Sequence, residues 1–403
     1  MVRRRLTIKP SQEHNLATWD LRPATAGTRP PMNPSLLTPL AASLPATVPF
    51  VGPEAQERGL GRAFRARLGA NESLFGPSPA AIKAMQDAAK DVWMYGDPDV
   101  HDLTNALATM HGCGPENIIV GEGIDGLLGY LVRLMIGPGD RVTTSLGAYP
   151  TFTFHVAGFG GEIYRVPYKG DHEDPDALLE NARAVGSKLI YLSNPDNPMG
   201  SHHPAAVIDT MIAQIPDGCL MILDEAYIDL APEGTAPKVD ANDPRVIRFR
   251  TFSKGYGMAG LRVGYAIGAK ELIQSFHKVR NHFGVGRIAQ AGALAALADQ
   301  AHLARVRDQV TQARVTLVDI AQQNGLRALP SATNFTCIDL GRNGDFSRAT
   351  LAALLDLGVF VRMPGVAPLD RCLRISHGND PALQIFAECL PIALKQAEKS
   401  LGR

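Results

Sequence analysis

Between residues 117 and 254 short apolar runs alternate with stretches of helical period, and this alternation narrows the possible folds more than any other feature of the chain. NIIVGEG, RVTTSL, GEIYRVPY, KLIYLSN, CLMILDEAY and VIRFRTFSK are short apolar stretches, which predicts strands. IDGLLGYLVRLMI, between the first two, has the apolar spacing of a helix, and GPGD at Gly137 to Asp140 marks a turn. Strands alternating with helices build a mostly parallel sheet with helices on its faces, so the fold class is α/β.

Around this centre the pattern changes. Pro79 opens a helix through PAAIKAMQDAAKDVW. Beyond residue 270 long helical segments dominate, above all AQAGALAALADQAHLARVRDQVTQARVTLVDIAQQNG. TNFTCIDL, VFVRMPG and CLRISHG then predict strands, and PALQIFAECLPIALKQAEKS a closing amphipathic helix. The proline-rich residues 1–45 predict an extended arm, disordered or wrapped on a neighbouring subunit. The expected organisation is that arm, a small α+β domain from residues 46–80 and 290–403, and a large domain from residues 81–289.

Lys plus Arg and Asp plus Glu balance at 40 each, without blocks of like charge, which removes the electrostatic footprint of a nucleic-acid binder. Small molecules and other subunits are the expected partners. The five cysteines (Cys113, Cys219, Cys337, Cys372, Cys389) lack CxxC spacing, so neither a disulfide framework nor a metal site is expected. A reducing cytoplasm fits. MVRRRLTIKPSQEHNL lacks the apolar core of a secretory signal, and no run has the length of a membrane span.

In open α/β sheets ligands collect beyond the carboxyl ends of the strands. There the chain places Asn194-Pro-Asp-Asn197-Pro-Met-Gly200, Asp224-Glu-Ala-Tyr227 and Thr251-Phe-Ser253-Lys254, the last followed by GYGMAGLRVGY with Arg262. Lys254, between a hydroxyl residue and Gly255, has the access needed to form a Schiff base with an aldehyde cofactor. If that cofactor carries a pyridine ring, Asp224 could keep the ring nitrogen protonated. Tyr227 and Asn197 could donate to its phenolate oxygen. Ser253, Arg262 and the turn Gly121-Glu-Gly123-Ile124-Asp125 could hold a phosphate.

Each feature has an ordinary reading as well. A loop lysine is usually a solvated surface group, and Asp224 could cap the next element. NPDNPMG would serve as a turn with no ligand, glycines at strand ends are common, and Arg262 could be a surface charge. Their occurrence at successive strand exits favours the cofactor reading.

At these residues the chain resembles the fold-type I pyridoxal 5′-phosphate (PLP) enzymes, specifically class I/II aminotransferases of the histidinol-phosphate aminotransferase-like branch. The likeness runs from Leu44 to the end and includes LGANESLFGPSP around Asn71, WMYGDPDV with Tyr95, LGAYPTF with Tyr149, and LRISHGN with Arg374. It implies a large domain with a mostly parallel seven-stranded sheet, transamination between an α-amino acid and a 2-oxo acid, and PLP held by Lys254. It further implies that Tyr149 stacks on the cofactor ring, that Gly123, Ile124 and Asp125 meet its phosphate, and that Arg374 grips the substrate α-carboxylate. Asn71, Asn197 and Arg362 are implied as substrate contacts. Tyr95 is implied to reach the phosphate of a neighbouring subunit's cofactor, so that a homodimer completes the active sites.

Where histidinol-phosphate enzymes usually have FNVN, this chain has Phe283-Gly-Val-Gly286, and their amino-terminal substrate tyrosine is replaced near Thr47. These departures favour an ordinary α-amino acid over histidinol phosphate as donor: the glycines would open space, and Arg287 would offer an anion contact if it points inward. Arg362 is compatible with either substrate. The competing functions are histidinol-phosphate transamination, another PLP reaction on this scaffold (decarboxylation, or amino-acid oxidation or hydroxylation), and a non-catalytic regulatory module.

Overall fold

The structure, a computed structural model, describes residues 36–46, 51–238 and 240–402. Most of the expected arm lies outside the described residues, as does Thr47. The end of the arm is a five-residue helix, Pro39–Ser43, capped by the Thr38 hydroxyl, where an extended segment was expected.

Six of the apolar runs form strands at or near their expected places: β1 (Ile118–Gly121), β2 (Arg141–Ser145), β3 (Glu162–Val166), β4 (Leu189–Ser193), β5 (Leu220–Asp224) and β6 (Val246–Thr251). A seventh, β7 (Gly264–Ile267), lies inside the motif GYGMAGLRVGY and its continuation, where four residues carry too little pattern to announce a strand. The order across the sheet is β1-β7-β6-β5-β4-β2-β3. β7 runs antiparallel to both neighbours, and the remaining pairings are parallel. Every residue of β4 and β5 is buried, as expected of strands covered on both faces.

Helices supply that cover. Gly123–Met135 and Pro150–Gly158 bury Leu127, Leu131, Phe152 and Val156 against Tyr191, Ile222 and Phe249 on one face. Pro175–Val185 and Ala205–Ala213 bury Leu178, Ile208 and Met211 against Ile190, Met221 and Leu223 on the other. Each fully buried large apolar side chain contributes about 1.5–3 kcal/mol relative to exposure. The sheet is therefore a rigid support for the loops at its carboxyl edge.

A three-stranded antiparallel sheet combines Arg327–Ala328, Phe335–Asp339 and Cys372–Ser376. Ala66, Leu68, Leu317, Ile338, Leu373 and Phe386 share the core beneath it. The long helical segment divides in two, Arg287–Ala298 and Gln300–Gln323, because Asp299 leaves helical geometry and its side chain accepts the His302 amide at 3.0 Å. VFVRMPG is strand only at Val359–Phe360, paired with Ala66–Arg67, after which Arg362 forms a single bridge to Arg374.

Candidate active site

Lys254 leaves β6 through Thr251, Phe252 and Ser253 and is half-buried. Its Nζ donates to the Asn71 carbonyl at 3.1 Å and lies 5.5 Å from the centre of the Tyr227 ring. Desolvation, then repulsion from Arg374 and Arg262, lowers its pKa to about 8 against the attraction of Asp125 and Glu72. About a tenth of the amine is thereby neutral at pH 7.

Asn71 takes the left-handed conformation, φ 55, which asparagine tolerates, and its amide donates to the Tyr227 hydroxyl at 3.0 Å. Asp224 ends β5, buried, with one oxygen accepting from Tyr191 Oη at 2.6 Å and the other from the Ala226 amide at 3.0 Å. Burial pushes it up to about 6, opposed by those two hydrogen bonds and reinforced by Asp125 and Glu225. None of these strongest influences is basic, so a cationic partner would hold Asp224 ionised. Burial also pushes the Tyr227 hydroxyl up to about 12, with Arg374 opposing.

At the other end of the site, β1 turns into the helix Gly123–Met135 through Glu122. Gly123 has φ 76, and a Cβ there would lie 2.4 Å from Arg262 Nη2. The first turn of this helix, with Ile124 and Asp125, has N–H groups with no partner within the helix. Arg262 Nη1 reaches Ser253 Oγ at 3.4 Å, and its Nη2 is 3.8 Å from Asp125. The Tyr149 hydroxyl donates to Asp125 at 3.2 Å. Amides, a hydroxyl and a guanidinium thus converge as an anion requires.

Arg374, on Cys372–Ser376, donates to Asn197 Oδ1 at 2.5 Å and to the Gly69 carbonyl at 3.2 Å. Its Nε is buried without a hydrogen-bond partner. Arg362 donates to the Val51 carbonyl at 2.5 Å, and burial, then Arg374, lowers it to about 10. Arg362 and Arg374 are therefore neighbouring guanidiniums, and Arg374 is the one that acts on the lysine.

Tyr95 stands apart. It is 77% exposed and stacks on Phe283 with centroids 4.6 Å apart, while its carbonyl accepts from Arg287 Nη2 at 2.7 Å. Arg287 thus holds the backbone at Tyr95. The space expected at Gly284 is not open: a Cβ there would lie 1.7 Å from Glu122 Oε1. At Gly286 nothing lies within 4 Å.

Sequence reasoning missed several supporting residues. Tyr191 shares a sheet face with Asp224, a relation the period of two within neighbouring strands could have revealed. Asn334 donates to the Asn71 carbonyl at 3.0 Å, and Ser376 Oγ accepts the Asn71 amide N–H at 2.9 Å. Both arrive from distant parts of the chain with no local signal.

The residues present fit PLP: a half-buried lysine with a depressed pKa, a buried acid with no ion pair among the described residues, and a turn in which Arg262 fills the place of a Cβ at Gly123. The family model for aminotransferase class I and II matches residues 66–390. A histidinol-phosphate aminotransferase of Moorella thermoacetica is 34% identical over 341 residues, covering 84% of this chain and 87% of the relative. The crystal structure of histidinol-phosphate aminotransferase from Sinorhizobium meliloti in complex with pyridoxal-5′-phosphate is 49% identical, with TM-score 0.87, covering 90% of this chain and 98% of that one. Aspartate aminotransferase from Thermus thermophilus with maleate shares the fold at 23% identity and TM-score 0.73, covering 88% of this chain and 99% of that one. The chain therefore belongs to the class I and II aminotransferases, in the histidinol-phosphate aminotransferase branch, and is a PLP-dependent transaminase.

Proposed function

We propose that Lys254 holds the cofactor and that the residues around it divide the work of transamination between an α-amino acid and a 2-oxo acid. The observation that carries this is the lysine amine just beyond the end of β6, lowered to about 8, beside Tyr227 and Arg374. When bound, PLP supplies an aldehyde that condenses with amines and a pyridinium ring that draws electrons from the substrate Cα. Lys254 Nζ, once free, is the base that takes the proton from Cα. Asp224 holds the proton on the ring nitrogen, and Tyr227 and Asn197 donate to the phenolate oxygen. Tyr149 covers the ring. The amides of Gly123, Ile124 and Asp125, with Ser253 and Arg262, hold the phosphate.

Arg374 takes the substrate α-carboxylate, orienting Cα, and Asn71 and Asn197 line the same space. Arg362 is a second anion contact. Tyr95 completes the site of a partner subunit, supported by its exposure together with Trp93 and Phe283. Sedimentation at assay concentration should show a homodimer, and an active monomer would contradict the shared site. The division into a large domain of residues 81–289 and a small domain of residues 46–80 and 290–403 belongs to the same proposal, supported by the separate core beneath the three-stranded sheet. Cytoplasmic residence is supported by the five free cysteines. Among the described residues no helix is long and apolar enough to cross a membrane.

A second reading, histidinol phosphate as amino donor, is favoured by the names of the relatives. Arg362 beside Arg374 could receive its phosphate as readily as a side-chain carboxylate. The test is a donor panel on the holoenzyme without oxo acid, followed by cofactor absorbance. Conversion to the pyridoxamine form by amino acids supports transamination with an α-amino acid donor; conversion by histidinol phosphate alone selects the second reading. Release of CO₂ or peroxide without conversion would contradict both.

A further inference from the structure

Glu122 occupies an unfavourable place for an acid, one residue before the turn that receives a phosphate in the reading above, on which this inference rests. The chain resolves this by turning its carboxylate away. Glu122 Oε1 accepts from the Tyr130 hydroxyl at 2.9 Å and from Asn281 Nδ2 at 3.0 Å, and the Asn281 amide N–H donates to the same Tyr130 oxygen at 3.1 Å. The carboxylate fills the volume that a side chain at Gly284 would need, since a Cβ there would lie 1.7 Å from Oε1 and 2.2 Å from Cδ. The backbone of Gly284 does not demand glycine: no left-handed φ occurs there. Only the close approach of Glu122 does.

The same loop carries Phe283, against which Tyr95 stacks. Gln290 Nε2 donates to both the Asp97 and Val285 carbonyls at 2.9 Å, tying the Tyr95 segment to residues 283–290. We propose that Glu122 is a positioning residue that interlocks the phosphate-binding turn with the loop 281–286 through the space left at Gly284. It fixes the turn before Gly123 and keeps the 281–286 loop, with Phe283, in place beneath Tyr95. The contact is steric and hydrogen-bonded, so it depends on the acceptor oxygen and the missing side chain rather than on the charge.

The test is a double-mutant cycle on the holoenzyme, reading the PLP dissociation constant by dialysis and cofactor absorbance. Glu122→Ala and Gly284→Ala should each weaken cofactor binding about tenfold, the loss of one to two hydrogen bonds' worth of organisation. Glu122→Gln, which keeps an acceptor oxygen, should stay within about twofold of the parent. The double variant should be no weaker than either single one, because each removes the same contact. Additive losses, unchanged binding in both single variants, or a Gln variant as weak as the Ala variant would overturn the interlock. Ser253→Ala and Arg262→Ala run in parallel. If they leave binding unchanged while the Glu122 and Gly284 variants weaken it, the phosphate site fails and the interlock stands; the reverse pattern sinks the interlock alone.

Discussion

Replacing Arg374 by alanine gives the sharpest separation between substrate recognition and chemistry. In the structure this guanidinium makes two hydrogen bonds, to Asn197 and to Gly69, and its Nε is buried without a partner. A substrate carboxylate would supply the acceptor that this N–H donor lacks within the protein. Charge-assisted hydrogen bonds contribute about 1.5–3 kcal/mol each, so losing a bidentate pair costs about 3–6 kcal/mol. That is a fall of about two to four orders of magnitude in kcat/KM for an amino acid. Arg374 is only half-buried, which places the expected value toward the lower end. Arg374→Lys keeps the charge but loses the planar fork, and should fall between the parent and the alanine variant.

The assay compares kcat/KM for an amino acid with that for its α-amide, which lacks the carboxylate. The parent enzyme should discriminate strongly between the two, and Arg374→Ala should lose most of the preference. Cofactor absorbance in the variant checks that the site is still loaded. An amino acid-to-amide ratio that survives the substitution would refute the reasoning, because no lost carboxylate contact leaves that ratio intact.

Asp224→Asn preserves size and removes the charge; its one oxygen can still accept the Ala226 amide N–H, with its Nδ2 donating to the Tyr191 hydroxyl. Single-turnover loss of the Cα proton should slow by about two to three orders of magnitude, while thermal stability of the cofactor-free protein stays level or rises as a buried charge is removed; an unchanged single-turnover rate excludes the role. The lowered pKa of Lys254 sets the pH dependence of cofactor attachment. The neutral amine is the nucleophile, so the attachment rate to cofactor-free enzyme should rise with pH through about 8 and level off above it. Arg374→Ala removes the largest electrostatic contribution lowering that pKa and should move the midpoint upward. A midpoint near the ordinary 10.5 would contradict the buried environment.

Much of the fold was legible because its signals are local. The apolar runs ending at Gly121, Ser193, Asp224 and Thr251 announce strands, and the groups that follow them meet at one sheet edge. β7 was hidden: its four residues are Gly, Tyr, Ala and Ile, with neither length nor alternation, and only pairing with β1 and β6 makes them a strand. Within the site, the strand-exit residues could be read from the chain and Tyr191 from the strand period, whereas Asn334 and Ser376 owe their places to tertiary packing. Gly284 shows the limit most clearly. A glycine in the sequence suggests free space, but 162 positions earlier the chain holds the glutamate that fills it, and nothing local connects the two. Arg287 likewise offered an anion contact on paper and instead donates to the Tyr95 carbonyl.

The central claim is that Lys254 carries the cofactor, and reductive trapping tests it directly. Borohydride treatment of the holoenzyme, followed by proteolysis and mass spectrometry, should find the phosphopyridoxyl group on the peptide containing TFSKGYGMAG, attached at Lys254. Lys254→Ala should give no adduct and no turnover. A phosphopyridoxyl group on any other lysine, or near-parental turnover in the alanine variant, would contradict the account.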